Sequence, residues 1–163
     1  MTDELNAKLD AIFDARSDKE AAAERLREEI AQQRKASLEE YLLLQESLIR
    51  PTLEVFVQKL AERGHKSSIY DFTDGEQIHG NTRSATIGIR FLLDRETTHR
   101  STHEYPHLTM SVDKAGRKVN FSHSTMAPGR GGMAGGDGTV GYDELTPELI
   151  NEKVLKVIAA VFK

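Results

Sequence analysis

HLTMSVDKAGRKVNFSH, residues 107–123, is the stretch whose reading decides the fold. Two runs of alternating apolar and polar residues flank Asp113-Lys-Ala-Gly-Arg-Lys118. Alternation with period two marks half-buried strands, and a polar, glycine-containing link between two such runs marks a hairpin. Pairing Val112 with Val119 sets Met110 opposite Phe121 and Leu108 opposite His123. Every apolar side chain then shares one face, whereas a slip of one residue would turn one strand's set to the other side. The opposite face shows Thr109, Ser111, Asn120, Ser122 and Ser124, a polar surface open to water or a ligand.

The same period continues upstream. ATIGIRFLL places Ala85, Ile87, Ile89, Phe91 and Leu93 on one face. SSIYDF and EQIHG flank Thr73-Asp-Gly-Glu76 and read as a second hairpin. Downstream lies APGRGGMAGGDGTVGYDE, residues 127–144, which holds seven of the chain's twelve glycines. It reads as a long polar connection anchored at both ends. A final helix then opens with Thr146 as N-cap, Pro147 in the first helical position and Glu148 in the first turn. Ile150, Val154, Leu155, Val157, Ile158, Val161 and Phe162 spread over roughly 160° of its circumference. A stripe that wide packs on a sheet.

Periodicity near 3.6 governs the N-terminal third. Leu5, Leu9, Ile12, Ala23, Leu26 and Ile30 recur in steps of three and four, and Arg16 and Lys19 fall in the same register. Ser17-Asp-Lys-Glu20 and Ser37-Leu-Glu-Glu40 have capping-box spacing, which predicts helices over 3–15, 18–36 and from 38. The narrow stripe fits a coiled-coil seam better than a globular core face. Pro51 predicts a kink or a fresh start within the third helix, and Gly64 its end. The expected fold class is α+β: a coiled-coil-like helical extension over residues 1–36, then a domain over 37–163. That domain is expected to hold an antiparallel sheet of about five strands, helices packed against it, the C-terminal helix on the sheet and the glycine-rich loop 127–144.

Composition narrows the function classes. There is no cysteine, so disulfides and thiolate chemistry are excluded. The longest apolar run, residues 157–162, is too short to cross a membrane, and the first twenty residues lack a secretory apolar region. A cytoplasmic protein without membrane contact is expected. The net charge of −4 is unevenly distributed: residues 1–62 balance to −5, 63–130 to +3 and 131–163 to −2, with all six histidines in the positive block.

The motifs that carry chemistry are sparse. A phosphate loop of the form G-x-x-x-x-G-K-S/T fails, because Asp137 and Gly138 follow Gly136. Gly136 to Gly141 has dinucleotide-fold spacing, but the next helix begins only at Thr146. His99, His103 and His107 are spaced by four and are weak metal candidates, since Pro106 forbids one helix through all three. No nucleophile elbow is present, no catalytic residue is named and no cofactor is expected. The leading expectation is a non-enzymatic interaction or adaptor module that self-associates through its N-terminal helices. Its partner-binding candidates are Leu5, Leu9, Ile12, Leu26 and Ile30 on the helices, with Arg130 and Met133 in the glycine segment. The alternative is a nucleic-acid or anionic-ligand module using Arg83, Arg90, Arg100, Lys114, Arg117 and Lys118.

Overall fold

The computed structural model describes residues 1–93, 105–127 and 131–162. Helix α1, Thr2–Leu44, runs without a break into a π-helical turn, Gln45–Ile49, and on into α2, Arg50–Glu62. The breaks expected at both capping boxes do not occur. Glu20, which would have closed the first box, instead accepts from Arg16 Nε at 3.1 Å, an i,i+4 pair that supports the helix. Ser37 is buried, and its hydroxyl lies 2.8 Å from the Tyr142 hydroxyl. Both serines sit among Ala, Glu, Lys and Arg, whose helix propensity outweighs the small cost of a mid-helix serine.

Pro51 does not start a fresh helix; the helix continues through it after one π-helical turn. It cannot donate to the ladder, and its ring crowds the carbonyl four residues earlier. The chain widens by one residue just before it, with Arg50 N–H donating to the Gln45 carbonyl. Ser47 Oγ donates to the Leu43 carbonyl at 2.6 Å and Thr52 Oγ1 to the Leu48 carbonyl at 2.7 Å, so side chains serve backbone groups around the irregular turn.

The chain divides into two units, residues 1–36 and 37–163. The first is helical, and all of its residues are exposed. The second is the α+β domain. Its strands are β1 (Lys66–Phe72), β2 (Glu76–Ile78), β3 (Asn81–Arg83), β4 (Thr86–Leu92), β5 (His107–Asp113), β6 (Lys118–Ser124) and β7 (Ala134–Gly141), followed by α3 (Pro147–Val161). Five of them form one antiparallel sheet in the order β1-β4-β5-β6-β7. The β5–β6 register is the one derived from the apolar pattern, with Leu108 on His123, Met110 on Phe121 and Val112 on Val119.

Two elements differ from expectation. The turn at Thr73–Glu76 is present, but β1 does not pair with β2. β2 pairs with β3 as a separate ribbon, and β1 pairs with β4, Ile69 against Ile89. β2 has a single apolar residue to bury, whereas β4 has three alternating ones, so β4 completes the buried face. The second difference is the glycine segment, half of which is the edge strand β7. The sheet reaches five strands by adding β7 where EQIHG was expected.

One face of the sheet and the helices share the core. Ile87, Ile89 and Phe91, Leu108 and Met110, and Val119 and Phe121 are buried against Tyr41, Ile49 and Leu53 and against Ile150, Val154 and Val157 of α3. Each such side chain contributes about 1.5–3 kcal/mol before entropy. The α3 cap forms as read, Thr146 Oγ1 accepting from Leu149 N–H at 3.2 Å. Leu155, at the margin of the α3 stripe, is exposed.

Asp137 ties the edge strand to α3. Asn120 pairs with Thr139 and Ser122 with Gly136, so Asp137 and Gly138 form a bulge opposite Phe121. Gly138 has φ 101°, which glycine adopts without strain. The Asp137 side chain is 8% exposed; its Oδ1 lies 3.0 Å from Lys156 Nζ, and Lys153 Nζ donates to its backbone carbonyl at 2.6 Å. Replacing Asp137 with alanine removes the charge-assisted bond to Lys156, worth roughly 1.5–3 kcal/mol, and leaves the backbone carbonyl that accepts from Lys153. Lys156 can return to water, so a loss nearer the lower bound is expected. Amide hydrogen exchange should accelerate along β7 while α3 stays protected; unchanged protection in β7 would contradict this role.

Candidate functional site

The face of the sheet turned away from α2 and α3 is organised in rows across the strands. One row is Tyr70, Gly88, Thr109, Ser122 and Gly136; a second is Phe72, Thr86, Ser111, Asn120 and Thr139. A third runs through Ser68, Arg90, His107 and Ser124. Hydroxyls in neighbouring strands bond to each other, Thr109 Oγ1 to Ser122 Oγ at 2.6 Å, and Thr139 Oγ1 donates to Asn120 Oδ1 at 2.8 Å. A shallow cavity of about 240 Å³ lies on this face, lined by Tyr70, Phe72, Arg83 and His107 together with Thr and Ser hydroxyls.

Tyr70 dominates it. A Cβ built on Gly88 would sit 2.7 Å from Tyr70 Cζ, from its hydroxyl oxygen and from the Leu108 carbonyl. The ring therefore lies across bare backbone that only glycine provides. The phenol oxygen is buried without a hydrogen-bond partner among the described residues, and burial raises its pKa far above the ordinary value. Phe72 meets Tyr70 edge to face at 5.8 Å, and the Arg83 guanidinium stands over the Phe72 ring at 5.1 Å. Arg90 Nε donates to Ser68 Oγ at 2.7 Å.

The other basic candidates are elsewhere. Lys114 pairs with Asp74 at 2.9 Å, and Arg117 pairs with Glu40 at 2.6 Å while covering Tyr142. Lys118 opens β6. Thus Arg83 and Arg90 share the aromatic face, while Lys114 and Arg117 serve contacts at the β5–β6 turn. Arg100, Arg130, His99 and His103 lie outside the described residues. His107 opens β5 with Nδ1 2.8 Å from the Tyr105 carbonyl, which fixes that nitrogen as the donor. No His, Asp or Glu group among the described residues is arranged to hold a metal ion. Met133 is exposed just before β7, its N–H donating to Thr125 Oγ1 at 3.0 Å.

The helical stripe forms the second surface. Leu5, Leu9, Ile12, Leu26 and Ile30 are all exposed, within an arc of about 100° on the helix. Phe13, which sequence reasoning passed over, is 60% exposed beside them. Its position four residues after Leu9 is the signal that marks it. The Tyr70–Gly88 pair is not legible in the sequence, because which strand neighbours β1 follows only from the β2–β3 ribbon. No helix among the described residues is long and apolar enough to cross a membrane. Comparison with family models, curated proteins and solved structures finds no match for this chain.

Proposed function

We propose that this chain is a non-enzymatic interaction module that self-associates through residues 1–36, with the sheet domain presenting a second contact surface. The observation that carries the reading is an apolar seam at coiled-coil spacing on a helix whose residues 1–36 are all exposed. Exposed apolar residues set singly are ordinary, but five on one arc of about 100° call for a covering surface. A second copy of the same helix supplies a seam of the same spacing. Arg16 and Lys19 interrupt that seam and hold its strength down while their stems still cover apolar area.

Light scattering on the full chain tests this. The wild type is expected to be a dimer or larger in the micromolar range, and Leu9→Asp combined with Leu26→Asp is expected to be monomeric. Both side chains are exposed, so the substituted chain should keep the wild-type circular dichroism of its sheet domain. A monomeric wild type, or an unchanged mass after both substitutions, would sink the reading.

A further inference from the structure

A second site lies on the polar face of the sheet and is independent of self-association. Both aromatic side chains there are on the side opposite the core, where they add nothing to the packing against α2 and α3. Tyr70 lies over Gly88 with its hydroxyl turned into the sheet, an arrangement that leaves a buried polar atom without a partner among the described residues. The half-buried ring lines the cavity on this face together with Phe72 and the Thr109, Ser111 and Ser122 hydroxyls. Arg83 stands over the Phe72 ring and Arg90 donates to Ser68 on the same face, both within the part of the chain that balances to +3.

We propose that this face binds a nucleobase carrying a phosphate, with the base stacked on Tyr70 and the phosphate drawn to the charge of Arg83 and Arg90. Stacking on an aromatic platform suits any base, because every base has a π-face. The charge selects against the other natural occupant of an aromatic site, an organic cation, since Arg83 already stands over Phe72 at 5.1 Å. The size agrees as well: drug-sized ligands take roughly 300–1,000 Å³, and a cavity of about 240 Å³ admits a single ring system with its sugar outside. Hydroxyls and the Asn120 amide across the face can bond base edges and ribose.

The test uses the full chain and two sources of the same chemistry. One arm measures fluorescence anisotropy of labelled, mixed-sequence single strands of about 12 nucleotides. The other titrates the four ribonucleoside monophosphates by NMR. Low-salt binding is expected in at least one arm; strands alone identify single-stranded nucleic acid as the source, and monophosphates alone identify a free nucleotide. Tyr70→Phe should bind as the wild type does, because only the buried hydroxyl is lost. Tyr70→Leu should weaken binding roughly 5- to 100-fold. Arg83→Gln should weaken it and lower the slope of log affinity against log salt by about 0.7 for a single strand. Should Tyr70→Leu misfold, Phe72→Leu and Arg83→Gln still decide the question. Absence of binding in both arms overturns the proposal. So does binding unchanged by Phe72→Leu and Arg83→Gln, or equal affinity for a duplex of the same length, whose bases are not presented.

Discussion

Replacing Tyr41 with alanine lowers the unfolding free energy of the sheet domain by about 3–5 kcal/mol. Tyr41 is fully buried near the C-terminal end of α1, and its hydroxyl donates to the Met110 carbonyl of β5 at 2.9 Å. Truncation therefore leaves a ring-sized cavity between helix and sheet and removes the bond that joins them. Domains of this kind are stable by about 5–15 kcal/mol in all, so the urea midpoint should fall by about a fifth or more. Tyr41→Phe keeps the ring and loses only the bond, and should cost about 0.5–1.5 kcal/mol.

The same residue sets an alkaline limit. Burial, reinforced by Tyr142 nearby, raises the Tyr41 phenol above its ordinary value of 10.0. The folded state thus holds the proton more tightly than the unfolded one. That contribution is whole below pH 10, shrinks as pH rises above 10 and is gone only beyond the raised folded value. Unfolding free energy measured from neutral pH upward should start to fall near that point, and fall less steeply in Tyr41→Phe. An equal slope in the variant would show that the alkaline loss belongs to other groups.

The parts of this fold legible in sequence are those where burial and period agree. Residues 107–123 announce their register because a one-residue slip would strand Met110 or Phe121 in water. The α3 cap is legible because Thr146, Pro147 and Glu148 each suit a distinct backbone need at a helix start. The helix breaks at Ser17 and Ser37 are misread for a related reason. A capping box is a local signal, and it acts only where the chain has cause to turn; here Arg16 claims Glu20 and Tyr142 claims Ser37. β7 is hidden because its glycines carry no alternation to read. What makes it a strand is an open edge on β6 and the Asp137 contacts to α3, both of which depend on elements distant in sequence. Of the candidate sites, the helical stripe is legible from spacing alone. The aromatic face is not, since it exists only once β1 lies beside β4.

Gly88→Ala tests that juxtaposition most directly. In a strand away from close contacts, alanine for glycine would stabilise by about 0.4–1 kcal/mol through the unfolded chain. Here the added methyl would stand 2.7 Å from the Leu108 carbonyl on the neighbouring strand and equally near the Tyr70 ring. The sign should therefore reverse, to a loss of about 1–3 kcal/mol from overpacking, read as a lower midpoint in urea. The ring can swing away and the carbonyl cannot, so the two clashes separate in a double-mutant cycle. In a Tyr70→Ala background the same Gly88→Ala change should cost less, with the remainder assigned to Leu108. A coupling near zero would mean that the ring is not held over Gly88, and a gain in stability would mean that neither clash is real. If the coupling is large, a displaced ring should also weaken the proposed nucleotide or single-strand binding, because Gly88 is not among the residues that line the cavity while Tyr70 is.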